Sequence, residues 1–266
     1  MPTLEHVIAE LARAAPLRLA EEWDNVGLLV GDRRRQVERI MTCLTITPSS
    51  AAEAIAERAD LIVAHHPLPF RPLKKLTSDS VEGRLLLELI GARVAIYSAH
   101  TAFDSAAEGI NQHLAAGLEL TDIGPLVPAE PFDATAAVGA GRMGRPAAPL
   151  SLGELAARVK AFLQVPGLHL VGDSAQPVTK IALACGSGGD FLPAALRFGC
   201  DALVTGEARF HTCLAAEAES IGLVLPGHYA SERFALESLA ARLAQQFPTA
   251  TVWPSRTEQD PLRWIT

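Results

Sequence analysis

The sequence predicts an α/β protein built from two similar α/β lobes, and three observations carry that expectation. Apolar strand-like runs alternate with helical ones, the second half can be slid onto the first so that strand, helix and strand coincide, and histidines fall where strands end. A chain of 266 residues with 49% hydrophobic and 20% charged residues is long enough to close substantial cores.

The opening run "MPTLEHVIAELARAAP" carries Glu5 and Glu10 inside helical apolar spacing, so it reads as an amphipathic helix stopped by Pro16 and not as a signal peptide. The runs "RIMTCLTIT", "SSAAEAIAERA", "DLIVAHH", "LLLELIGA" and "RVAIYSAH" then alternate in kind and lead to the helical "DSAAEGINQHLAAGL". In a largely parallel sheet of this type, functional residues collect at the carboxyl ends of strands. Residues 124–150 are rich in Pro, Gly and Ala and read as a connection that includes a short strand. The expected division is therefore a first lobe over 1–125, a connection over 126–150 and a second lobe over 151–266. Ser151 and Glu154 form a capping-box pattern for the helix "LGELAARVKAFL", which Pro166 and Gly167 close.

The run from Ile40 to His66 aligns without gaps on the run from Ile181 to Glu207, placing Asp60 on Asp201 and His65-His66 on Gly206-Glu207. Further on, His100-x-x-x-Asp104 answers His228-x-x-x-Glu232, each after a strand-like run. This pattern points to internal duplication, with a natural cleft between the two lobes. The first half has the longer connection, assigned to the polar loop "KKLTSDSVEG".

Composition narrows the function. A formal net charge of −7 with no basic run offers no footprint for a phosphate backbone, so nucleic acid is not favoured as a partner. No uncharged apolar run reaches the roughly 18 residues of a membrane span. Four widely spaced cysteines, Cys43, Cys185, Cys200 and Cys213, contain no C-x-x-C and suit a reducing cytoplasm.

Imidazole and carboxylate together form the usual ligand set for zinc, iron, manganese or cobalt. His65, His66, Asp104, His228 and Glu232 are the candidate metal ligands, with His100 beside them. Adjacent histidines on a strand point to opposite faces, but at a strand's end, where Pro67 breaks the ladder, they can diverge toward two neighbouring metals. Asp104 and Glu232 are expected near helix N-termini, where the helix dipole favours an anion. The plainer reading makes Asp104 an N-cap of a helix through His113 and Glu232 a first-turn acid after an N-cap Ser231, but it leaves the histidines unexplained. His6, His113, His169 and His211 read as structural or solvent-facing. "CGSGGD" matches neither G-x-G-x-x-G nor a P-loop, and no G-x-S-x-G occurs. Arg142, Arg145 and Arg209 read first as surface ion-pairing groups and second as phosphate contacts.

Taken together, the motifs resemble the GTP cyclohydrolase I type 2 homologues, also called NIF-three-like dinuclear-metal-centre proteins. The resemblance runs through "EEWDNVGLLVGD", "IVAHHPLPF", "IYSAHTAFDSAAEGINQHLA", "GAGRMGR", "DALVTGEARFH", "LPGHYASERFALESL" and "EQDPLRWI", and so covers essentially the whole chain. It implies two similar α/β lobes with two divalent metal ions per chain. By motif, His66 and Asp104 hold one ion, His65 and His228 the other, and Glu232 bridges both, with His100 as a catalytic proton-transfer group. It also implies a homo-hexameric ring and a hydrolase acting on a nucleotide-like small substrate. The alternative is a non-catalytic metal-binding ring that scaffolds partners or handles metal. One departure stands out: Thr45 occupies a place where the family commonly has Asp.

Overall fold

The computed structural model describes residues 1–130, 137–263 and 265. Part of the connection expected over 126–150, residues 131–136, therefore lies outside the described residues, as does Trp264 of the "EQDPLRWI" run. The chain divides into two compact units, Met1–Phe103 with Ala235–Gln259, and Asp104–Phe234 with Asp260–Thr266.

The first unit begins with helix α1 (Leu4–Ala14), whose N-cap Thr3 accepts a hydrogen bond from the His6 N–H and which buries Leu4, Val7, Ile8 and Leu11. Strands β1 (Gly27–Val30) and β2 (Arg39–Cys43) follow, then α2 (Pro48–Ala56), β3 (Leu61–Ala64), α3 (Val81–Gly91) and β4 (Ala95–Ser98). Helix α2 starts where Thr47 and Ser50 exchange reciprocal caps and Pro48 supplies a preset φ. The short helix α4 (His100–Ser105) comes directly after β4.

The remaining elements are, in order, α5 (Ile110–Gly117), β5 (Thr121–Gly124), β6 (Val127–Pro128), β7 (Gly139–Ala140), β8 (Arg142–Arg145), β9 (Leu150–Ser151) and α6 (Leu152–Leu163). Next come β10 (His169–Val171), β11 (Pro177–Val178), β12 (Ile181–Ala184), α7 (Leu192–Arg197), β13 (Ala202–Thr205), α8 (Phe210–Ala218) and β14 (Gly222–Leu225). The chain closes with α9 (His228–Gln246) and β15 (Thr251–Pro254). The capping box expected at Ser151 and Glu154 is present at the start of α6.

The first unit's sheet has the order β1-β4-β3-β2-β15. Its last four strands are parallel, and β1 is antiparallel at the edge. Met41, Ile62, Leu86, Leu89, Ile96 and Trp253 pack into its core. In the second unit the order is β10-β14-β13-β12-β8-β5, with β12, β13 and β14 parallel and the outer strands antiparallel. Leu114, Leu152, Leu155, Val159, Ile181 and Val204 form one of its cores. Both sheets thus contain three parallel strands joined by crossovers, with an antiparallel neighbour beside the third.

The aligned aspartates do the same work in each sheet. Asp60 accepts at one oxygen from the N–H groups of Glu38 (2.8 Å) and Arg39 (3.0 Å), while Asp201 accepts from those of Thr179 (2.7 Å) and Lys180 (2.9 Å). Each carboxylate therefore collects the donors of the turn that starts a parallel strand.

The units are cut elsewhere than the linear division by composition because pairing, not sequence order, defines them. The C-terminal strand β15 pairs with β2, and β5 and β8, from the end of the first half and from the connection, extend the second unit's sheet. That connection holds several strands, not one.

Arg142 corrects a sequence expectation. It is fully buried, and its guanidinium donates to the carbonyls of Gly139, Gly141, Ala106 and Ala137 and to Gln112 Oε1. A cation surrounded by carbonyl oxygens holds loops together away from solvent. Burial lowers its pKa to about 10.

The C-terminal strand is secured by Glu53 of α2, which is buried. Its carboxylate accepts from Trp253 Nε1 (3.1 Å), Ser255 Oγ (2.7 Å), Thr257 Oγ1 (2.8 Å) and the N–H groups of Arg256 and Thr257. Burial pushes its pKa up, but the bonds from Ser255, Arg256 and Thr257 outweigh it and hold the carboxyl below its usual value. A depressed carboxylate pKa contributes stability that is present above the unfolded-state pKa and is lost as pH falls through the folded-state value. Glu53→Ala should cost about 2–4 kcal/mol in urea unfolding at pH 7, because it strands several buried donors. In Glu53→Gln the part of the stability loss between pH 5 and pH 3 that comes from this group should disappear.

Candidate metal centre

The first ligand group belongs to the first unit and is built at the ends of its central strands. After β3 ends at Ala64, the N–H groups of His65 and His66 still bond to the carbonyls of Cys43 (3.0 Å) and Leu44 (2.8 Å). The ladder thus continues for two residues before Pro67, which has no N–H to give. His65 is 2% exposed and its ring lies 5.1 Å from that of His66. His100 follows β4, its ring 5.1 Å from His65 and 5.4 Å from His66. One ring nitrogen from each of the three histidines lies within 4.8 Å of the others, so the group could hold a metal ion. The surroundings are of low polarity: His65 and His100 line a small pocket together with apolar groups such as Leu11, Val63, Phe103 and Leu236.

Three consecutive residues of the "EEWDN" run assemble the rim of this group. Asp24, with no exposed side-chain surface, sits 2.8 Å from His100 Nδ1 and accepts from the Thr101 N–H and hydroxyl. Asn25 donates to the Pro69 carbonyl at 2.7 Å, fastening the loop that follows the dihistidine. Trp23, 62% exposed, packs its ring 6.0 Å from Phe70 and 5.9 Å from His100. Burial raises the Asp24 pKa, but His100 and Thr101 lower it further than burial raises it, so it stays ionised. His100 itself adopts a positive φ of 32°, a conformation that costs a non-glycine residue about 1–3 kcal/mol and is held here by the Asp24 contacts.

The second ligand group belongs to the second unit. His228 opens α9 after β14, and its Nε2 lies 3.0 Å from Glu232 Oε2, one helical turn on. Its Nδ1 lies 3.0 Å from Glu207 Oε1. Glu232 is 4% exposed. The start of α9 approaches β12 and β13 through small residues. Ser231 accepts from the Gly186 N–H (2.9 Å), and a Cβ on Gly186 would come within 2.1 Å of Glu232 Oε1. Asp104 stands near the end of α4, 3.4 Å from Cys185 Sγ. Burial pushes the Cys185 thiol well up, and Asp104 and Glu232 add to it, so it stays protonated.

Two local expectations change. Asp104 is near the end of the short α4 and not at the start of a helix through His113, because the chain turns at residues 106–109 before α5 begins. Ser231 lies inside α9, where it donates to the His228 carbonyl, and is not an N-cap. The other histidines, His6, His113, His169 and His211, lie in α1, α5, β10 and α8. The "CGSGGD" run passes beside Glu232, which explains its glycine at position 186. Asp24, Cys185 and Glu207 were not singled out from the sequence. Asp24 stands among Glu21, Glu22 and Asn25, so composition alone did not mark it out.

Glu232 raises the His228 pKa most; burial opposes, and Glu207 adds, giving about 9. A raised folded-state pKa stabilises fully below the unfolded value near 6.5, and that stability is lost as pH rises through about 9. In metal-free protein the His228 imidazole resonances should titrate near pH 9, and in Glu232→Gln they should move back toward ordinary histidine values. Gly186→Ala should displace Glu232 and lower metal affinity while leaving the far-ultraviolet circular dichroism unchanged, since the close contacts fall on the Glu232 and His228 side chains and not on backbone. That variant also carries an alanine at φ +61°, costing about 1 kcal/mol in thermal unfolding.

The family model Duf34/NIF3 (NGG1p interacting factor 3) matches residues 2–261. A Clostridium perfringens protein described as a GTP cyclohydrolase 1 type 2 homolog is 32% identical over 263 residues, covering 98% of this chain and 99% of that protein. A Helicobacter pylori protein described as GTP cyclohydrolase 1 type 2 is 33% identical over 237 residues, covering 89% of this chain and 90% of that protein. The crystal structure of Staphylococcus aureus protein SA1388 superposes with a TM-score of 0.89 at 26% identity, covering 99% of each chain. With its motifs, its fold and nearly its whole length matched, the chain belongs to the Duf34/NIF3 family.

Proposed function

We propose that this chain is a metal-dependent hydrolase of a small, nucleotide-like substrate, with two divalent ions per chain. The observation that carries the reading is the histidine group: three imidazoles whose nitrogens converge within 4.8 Å, one of them 2% exposed, among apolar neighbours. Imidazoles gathered in this way suit a cation held by His65 and His66 with His100 beside them. The carboxylates fit as well: Glu232 occupies space that only a glycine at 186 leaves open.

In this reading His66 and Asp104 serve one ion, His65 and His228 the other, and Glu232 serves both. Zinc, iron, manganese or cobalt suit the donors. Ions held there would lower the pKa of water toward neutrality and polarise the bond under attack. The chain's own residues do the rest. Asp24 accepts from His100 Nδ1 and so leaves Nε2 to take or give a proton. The low polarity around His65 strengthens every electrostatic contact made there. The proton on His228 must leave before its Nε2 can act as a ligand, so metal uptake below pH 9 should release protons.

The nucleotide-like substrate is supported by the description of the Helicobacter pylori relative. Ring opening of a purine such as that of GTP is one hydrolysis such a centre serves. We further propose a homo-hexamer in a reducing cytoplasm, from family likeness and cysteine usage. Among the described residues no helix is long and apolar enough to cross a membrane.

Elemental analysis of protein purified without added metal or a histidine tag should give two ions per chain, with far fewer in Glu232→Ala and a reduced number in His66→Ala. Turnover of a panel of nucleotides, phosphoesters and peptides should depend on added metal and fall about a hundredfold or more in Glu232→Ala. Full metal content with no turnover in any class would move the protein to metal handling or scaffolding.

A further inference from the structure

Thr45 occupies the turn after β2, and its hydroxyl lies 2.7 Å from Nδ1 of His66. The same turn is gripped by Glu258, which is 8% exposed and whose carboxylate accepts from the Leu44 N–H (3.0 Å) and the Thr45 N–H (2.6 Å). Glu258 is itself placed by the C-terminal segment. Its N–H donates to Ser255 Oγ, and that hydroxyl donates to Glu53. The Leu44 carbonyl, part of this turn, also receives the His66 N–H, so the ring and the backbone of His66 are fixed by one short segment.

We infer that Thr45 and Glu258 form a positioning device for His66, in which the hydroxyl accepts from Nδ1–H and leaves Nε2 as the nitrogen offered to a metal. The inference rests on the metal-binding reading of His66. A neutral imidazole carries one proton, and whichever nitrogen keeps it cannot bind a cation. An acceptor at Nδ1 therefore selects the useful tautomer and the ring orientation together, as outer partners of ligating histidines commonly do. The Thr45 hydroxyl can donate as well as accept, so the contact fixes the ring orientation without a second negative charge beside Glu258, and the acceptor role inferred for it is what the tautomer measurement decides. The carboxylate holds the turn by its backbone, so that the hydroxyl is presented at hydrogen-bond distance.

The test uses the full-length protein labelled with nitrogen-15, read by long-range proton–nitrogen correlation of the His66 ring without metal, together with Zn2+ affinity by chelator competition. The parent and Thr45→Ser should show His66 protonated at Nδ1. Thr45→Val, which keeps the shape and loses the hydroxyl, should show a mixed or reversed tautomer and an affinity about 10–100-fold weaker, with an unchanged near-ultraviolet circular dichroism spectrum. Glu258→Gln should shift both readouts the same way by less, since an amide oxygen can still accept from the turn. Parent protein protonated at Nε2, or Thr45→Val with parental tautomer and affinity, overturns the inference. If Zn2+ fails to bind the parent while the tautomer still follows Thr45, the metal reading falls and the positioning device stands.

Discussion

The carboxyl end of β3 is the constraint on which the rest of the candidate site depends. Two N–H groups beyond the strand, those of His65 and His66, remain bonded to the carbonyls of Cys43 and Leu44. The backbone of both histidines is thereby set by the parallel sheet before any side chain makes a contact. Ser98 at the end of β4 adds a bond from its hydroxyl to the His65 carbonyl at 2.5 Å. Rings attached to so fixed a backbone lose little further freedom on meeting a cation, which is the physical sense of a preformed site.

Buried carboxylates do most of the remaining construction. Asp24, Glu53 and Glu258 each accept several donors from turns that would otherwise leave N–H groups without partners. An ionised carboxylate has two oxygens and about four lone-pair directions, so one side chain can gather the donors of a whole turn. The cost of burying its charge is offset by those bonds, which explains why the pKa values of Asp24 and Glu53 fall despite burial. Strand ends and the loops that follow them are thus tied to fixed points, and Trp23 and Phe70 stand at the rim with their rings exposed.

The second unit reaches its ligand geometry by a different route. There the start of α9 comes close to the sheet because Gly186 and Gly206 have no Cβ, and Ser231 bridges helix and strand. Glu232 and Glu207 keep His228 protonated well above ordinary histidine pH values. A cation bound at Nε2 of His228 would first have to displace that proton.

The sequence by itself determined the α/β class, the crossovers, the capped start of α6, the correspondence of Asp60 with Asp201 and the histidines at strand ends. These are legible because they are local: period, caps and turn residues depend on near neighbours, and a strand's end is marked where its apolar run stops. Tertiary structure alone decided that β15 joins β2, that Arg142 is a buried clasp of carbonyls, that Asp24 and Thr45 stand beside histidines far from them in the chain, and that Glu258 holds the turn carrying Thr45. An acid or a hydroxyl carries no mark in one dimension of what it will face. Its role is settled only when folding removes water from it and leaves particular donors within reach.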